Sequence, residues 1–138
     1  STTWDGQGAG RQHGRVLVVD DQELVRRSLG RLVKASGHEV LYASDGREAL
    51  EVYQASEPRP DVVLLDLDMP HLSGAEALEQ LKVMDPGARV VLISGYYDDT
   101  RKQRMLSLGA TDFLGKPVDA KKLRDAIRIA MTAPAIDF

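Results

Sequence analysis

Short apolar runs alternate with segments of helical periodicity along most of this chain, and that rhythm is its strongest constraint on folding. Val16 to Val19 is β-branched apart from Leu17 and stops at two acids, Asp20 and Asp21. Such a run reads as a strand buried on both faces. Val25, Leu29, Leu32 and Val33 then recur at three- and four-residue spacing, which predicts an amphipathic helix ending near Gly37. Glu39 to Ala43 is a second strand, and Ser44, Asp45 and Gly46 open a helix bearing Ala49, Leu50 and Tyr53, ended by Pro58 and Pro60. Val62 to Leu65 is a third strand, ending in Asp66. Its helix runs around Ala77, Leu78, Leu81 and Met84 and closes at Pro86 and Gly87. Val90 to Ile93 is a fourth strand, ending in Ser94, and a polar stretch from Asp98 leads to a helix around Met105, Leu106 and Leu108. Asp112 to Leu114 forms a short fifth strand that ends at Lys116 and Pro117. Asp119 caps a last helix with Leu123, Ile127, Ala130 and Met131 on one face.

Five strands alternating with five helices predict one α/β domain built on a doubly wound, five-stranded parallel sheet with helices on both faces. At 138 residues the chain is long enough for one such core. In these sheets a ligand sits off the carboxyl ends of the strands. That rule selects Asp20 and Asp21 after strand one, Asp66 after strand three, Ser94 after strand four and Lys116 after strand five. A single acid after a strand is often only the cap of the next helix. Three on one edge are different, because two like charges about 4 Å apart repel by roughly 4 kcal/mol at an effective dielectric near 20. Oxygen ligands without His or Cys suit a hard cation such as magnesium. Lys116 is then placed to meet an anion, and Ser94 to donate a hydroxyl to it, which together point to phosphoryl chemistry.

Bulk properties remove other classes. There is no cysteine, so disulfides and thiolate metal sites are excluded. The formal charge of −3 provides no overall basic field for nucleic acid. The apolar runs fall far short of the roughly 20 residues a membrane span needs, and no signal-peptide pattern opens the chain. A cytoplasmic protein without membrane or direct nucleic-acid contact is expected. Residues 1–14 are rich in Gly, Gln and Thr, hold the only tryptophan, Trp4, and read as a tail or linker remnant. The unit proper is expected over 15–132, with a short C-terminal tail over 133–138.

From Arg15 to Met131 the chain resembles a two-component response-regulator receiver domain of flavodoxin-like fold. The resemblance rests on Val18, Val19, Asp20 and Asp21, on Asp66 to Pro70 with Gly74 behind them, on Ser94 and Gly95, and on Phe113 to Pro117. It implies a strand order of 2-1-3-4-5. It implies that Asp66 accepts a phosphoryl group from a phosphohistidine of a sensor histidine kinase or histidine phosphotransfer protein. It implies magnesium ligation by Asp21, Asp66 and the backbone carbonyl of Asp68, with Asp20 acting largely through water. Lys116 would pair with the phosphoryl group, its bond to Pro117 being cis, and Ser94 would move in to bond a phosphoryl oxygen. Phe113 would be an aromatic switch that swings inward. Asp68 and Tyr96 flank the path of the hydrolytic water; Asp68 could orient or repel it, and Tyr96 is large enough to shield the phosphoryl group. The domain would gain and lose its own phosphoryl group without being a turnover enzyme.

Other readings fit less well. Asp66, Leu67 and Asp68 also resemble the nucleophile motif of haloacid-dehalogenase-type phosphatases, but that motif belongs on a first strand, with its acidic pair late in the chain. A pseudo-receiver would lack Asp66 or Lys116. Gly8, Gly10 and Gly14 lack the strand and helix a nucleotide loop needs, and Gly109 to Lys116 ends in Pro117 where a phosphate loop has Ser or Thr. Arg101, Lys102, Arg104, Lys121, Lys122, Arg124 and Arg128 form either a solvated basic face or a docking or dimer surface on helix four, strand five and helix five.

Overall fold

A computed structural model of the protein describes residues 13–70 and 73–132. Trp4, Gly8, Gly10 and the expected tail over 133–138 lie outside the described residues. The elements run β1 (Arg15–Val19), α1 (Glu23–Ala35), β2 (Glu39–Ala43), α2 (Gly46–Ala55), β3 (Val62–Asp66), α3 (Gly74–Met84), β4 (Val90–Ser94), α4 (Asp99–Ser107), β5 (Asp112–Gly115) and α5 (Ala120–Thr132). Every strand pairing is parallel and the order is β2-β1-β3-β4-β5, as the resemblance implied.

The central strands β1, β3 and β4 are apolar on both faces because both faces are covered. Val16, Val18, Val62, Leu64, Val91 and Ile93 pack against Leu29 and Val33 of α1 and Leu123, Ala126 and Ile127 of α5. Leu17, Val19, Val63, Leu65, Leu92 and Phe113 face the other way, against Ala49 and Tyr53 of α2, Leu78 and Leu81 of α3 and Met105 of α4. Period-two alternation therefore splits each strand between two cores. Among the described residues no helix is long and apolar enough to cross a membrane.

The helix starts are fastened by short polar residues at the positions the sequence marks. Asp45 accepts from the Glu48 backbone N–H, Asp98 from that of Arg101, and Ser73 and Glu76 form a reciprocal capping box. Asp119 accepts from the Lys121 N–H at 2.8 Å. Gly37, at φ +93, supplies the left-handed turn after α1. Just before β1, Gly14 accepts from the Glu39 N–H at 2.8 Å and donates to Nδ1 of His38 at 3.1 Å, so the chain is tied to β2 ahead of Arg15.

Gly74 joins this frame to the site. A Cβ at this position would stand 2.5 Å from Cα of Leu67 and 2.7 Å from the Asp66 carbonyl oxygen. Both are backbone atoms and have little room to yield. Gly74→Ala is expected to cost about 1–3 kcal/mol, seen as a lower urea midpoint at unchanged slope; an unaltered midpoint would refute the close approach.

Candidate functional site

The carboxyl edge of the sheet collects the selected side chains because β1, β3, β4 and β5 end level with one another. Val19 pairs with Leu65, Asp66 with Ile93 and Ser94 with Gly115. The residues that follow or close these strands therefore meet in one plane. Asp20, Asp66 and Ser94 are the buried polar and charged residues of the chain among those described, at 1%, 3% and 0% exposure. Asp21 is exposed beside them. Asp20, Asp21 and Asp66 each offer a carboxylate oxygen, and these oxygens all lie within 4.8 Å of one another.

Internal donors meet only part of this negative charge. Oδ1 of Asp20 accepts from the Gln22 N–H at 2.9 Å. Oδ1 of Asp66 accepts from the Asp68 N–H at 3.0 Å and from Nζ of Lys116 at 3.3 Å. Oδ2 of Asp20 is buried and has no hydrogen-bond partner; Nζ of Lys116 stands 3.9 Å away. An orphaned carboxylate oxygen is costly. Burial, more than the neighbouring charges of Asp66 and Asp21, pushes the Asp20 carboxyl above its ordinary range, against the Gln22 N–H and Lys116, which pull it down. Three oxygen donors, one of them unsatisfied, fit a small hard cation.

The remaining expected residues sit on the β4 and β5 side of Asp66. The bond between Lys116 and Pro117 is cis. The carboxylate of Asp68 turns away from the three acids and accepts from Oγ of Ser94 and the N–H of Gly95, each at 2.8 Å. Its side chain thus belongs to the β4–α4 turn, and only its backbone carbonyl stays a candidate ligand. Phe113 is already inside, 1% exposed, with the Tyr97 ring stacked on it at 5.3 Å between centroids. The structure thus holds this ring in the inward position that the resemblance assigns to the end of its swing. Tyr96 is 74% exposed.

Two participants were not singled out from the sequence. Arg101, there one of seven basic residues on the last two helices, reaches back from the first turn of α4 to Ser94 at 2.8 Å and to the Tyr96 carbonyl at 2.7 Å. Its position three residues after the Asp98 cap was the available signal. Leu24, 81% exposed on α1, borders an apolar groove with Val25, Leu29, Leu32, Pro117 and Val118. An apolar residue off the buried stripe of α1 was the signal there.

This edge, with its acids, its lysine and its hydroxyl, is that of a phosphoryl-accepting signalling domain, and comparison with known proteins agrees. The sequence model of the response regulator receiver domain matches residues 16–128. The chain is 39% identical over 114 residues to the chemotaxis protein CheY of Treponema pallidum, covering 82% of this chain and 79% of that protein. It is 34% identical over 114 residues to sporulation initiation phosphotransferase F of Bacillus subtilis, covering 83% and 90%. A receiver-domain protein of Clostridium thermocellum superposes with a TM-score of 0.80 at 33% identity, over 85% of this chain and 93% of that one. A chain of the CheX–CheY–BeF3–magnesium complex of Borrelia burgdorferi does so at 0.81 and 30%, over 87% and 90%. The chain belongs to the response regulator receiver family, the signalling domains of two-component systems.

Because the folded-state pKa of Asp20 is raised, its contribution to stability is present in acid and lost as pH rises through that value. Without divalent cation, Asp20→Asn is expected to stabilise the protein at pH 7 by about 1–3 kcal/mol, and the gain to shrink toward pH 4. Magnesium should stabilise wild type more than the variant. Urea unfolding with and without magnesium at both pH values measures this; a destabilised variant at pH 7 would count against the buried-charge cost.

Proposed function

We propose that this chain accepts a phosphoryl group on Asp66 from a phosphohistidine of a sensor histidine kinase or phosphotransfer protein, in a magnesium-dependent reaction. The observation that carries the proposal is the gathering of Asp20, Asp21 and Asp66 within 4.8 Å, with a buried oxygen of Asp20 left unpartnered. An oxygen of Asp66 attacks phosphorus; the phosphorus–nitrogen bond breaks, and the histidine nitrogen keeps the electron pair. Asp21, Asp66 and the Asp68 carbonyl would hold magnesium, with Asp20 acting largely through water, and the ion would supply positive charge against the phosphoryl oxygens. Lys116, already 3.3 Å from Asp66, moves its donor onto the transferred group. Ser94 gives its hydroxyl to a phosphoryl oxygen, and Phe113 follows the turn that Ser94 anchors.

The domain gains and loses one phosphoryl group as a signal, and is not a turnover enzyme. We place it in the cytoplasm, with the receiver unit over 15–132. The groove beside the acids, bordered by exposed Leu24, suits an apolar helix of the phosphodonor. The α4–β5–α5 face remains our candidate for a dimer or output partner. Several of its basic residues pair within the chain: Lys102 with Asp112, and Lys121 and Arg128 with Asp125.

Acetyl phosphate with magnesium should add one phosphoryl mass to wild type and none to Asp66→Asn, read by intact-mass spectrometry; labelling of the variant would refute Asp66 as acceptor. Tyr96→Ala should lose the group faster, by roughly two- to tenfold if its ring shields phosphorus from water. An unchanged decay rate removes that role from Tyr96.

A further inference from the structure

Ser94 has one proton to give, and the structure commits it. Oγ of Ser94 lies 2.8 Å from Oδ1 of Asp68, 2.9 Å from the Tyr96 N–H and 2.8 Å from Nη1 of Arg101. The backbone N–H and the guanidinium only donate, and an ionised carboxylate only accepts. The serine proton therefore goes to Asp68, and both acceptor positions of the hydroxyl are filled. Asp68 is held in turn by the Gly95 N–H at 2.8 Å on its other oxygen, with Nη2 of Arg101 at 3.9 Å. Arg101 also donates to the Tyr96 carbonyl at 2.7 Å, and its guanidinium carbon stands 5.9 Å from the Phe113 ring centre. One carboxylate from the β3 end and one guanidinium from α4 thus close the β4–α4 turn around a hydroxyl that is 0% exposed.

Resting on Asp66 as the acceptor, we infer that Asp68 is a positioning residue for phosphoryl uptake: with Arg101 it holds the Ser94 proton away from Asp66, and the incoming phosphoryl group must win that proton. Two anions then compete for one donor. When the phosphoryl oxygen takes it, Asp68 keeps the Gly95 N–H and its charge pairing with Arg101. Turning the hydroxyl also moves the lone pair to which Arg101 donates, and Arg101 carries the change into the first turn of α4. The side chain of Asp68 therefore opposes the phosphorylated form by occupying Ser94, which differs from repulsion by charge alone.

The two effects separate in a double-mutant cycle. Affinity for beryllofluoride with magnesium is measured by calorimetry for wild type, Asp68→Ala, Ser94→Ala and the double variant. Asp68 lies on an exposed turn, so its replacement leaves the core intact. Asp68→Ala should bind about tenfold tighter than wild type, the gain expected from freeing one hydrogen bond to a charged group. In the Ser94→Ala background the same change should shift affinity by less than about threefold. Equal gains in both backgrounds, or no gain with Ser94 present, overturn the inference while leaving Asp66 as acceptor. A wild-type chain that takes up no beryllofluoride overturns the acceptor reading and this inference with it.

Discussion

Asp20 and Asp66 stand at the ends of adjacent strands, almost without access to water, and the cost of burying their carboxylates, more than the repulsion between them, is the constraint around which the edge of the sheet is arranged. A protein core does not hold two carboxylates together without compensation. Backbone N–H groups of Gln22 and Asp68 take one oxygen from each acid, and Lys116 reaches Asp66 from the end of β5. What they leave over is one unpartnered oxygen on Asp20 and an exposed third acid, Asp21. The resting edge is therefore electrostatically incomplete, and a cation and an anion together would complete it.

The arrangement depends on the frame beneath it. Parallel register brings four strand ends level, and two separate cores hold that register from opposite faces of the sheet. A slip of one residue would turn Asp66 and its neighbours onto the wrong faces. The contact of Gly74 with the backbone at Asp66 and Leu67 extends the same rigidity past the end of β3. Around Asp66 the two sides differ in character. On the β1 side lie acids suited to a metal; on the β4 side lies a hydrogen-bonded turn in which Asp68, Ser94 and Arg101 hold one another. The first side suits chemistry, and the second suits transmission, because Arg101 belongs to α4 and touches both Ser94 and the Phe113 ring.

Most of the fold was legible because buried parallel strands have little choice of composition. Val62 to Leu65 cannot be other than interior, and an abrupt Asp66 marks where the interior ends. Helix boundaries followed from Asp45, Asp98 and Asp119, whose side chains cap only at a helix start. β5 was the weakest signal, a short segment begun by an acid, and it runs one residue beyond the apolar pattern, to Gly115. The acids, Lys116 and Ser94 were legible by the same logic, since each stands at a strand end. Arg101 was not: a long side chain on a helix can reach in many directions, and periodicity does not say which. The inward, covered state of Phe113 was equally silent, because it depends on Tyr97 lying across the ring.

The amino-acid sequence alone determined which residues lie at the carboxyl edge, because hydrophobic patterning specifies strand, face and end for every buried run. Only the folded chain decided which partner each polar group takes there: that Asp68 turns toward Ser94, that Arg101 closes over both, and that one oxygen of Asp20 goes without. Burial is selected by pattern over many residues, whereas a hydrogen bond is won or lost over a few tenths of an ångström. Distances that fine are set by packing between segments far apart in the chain.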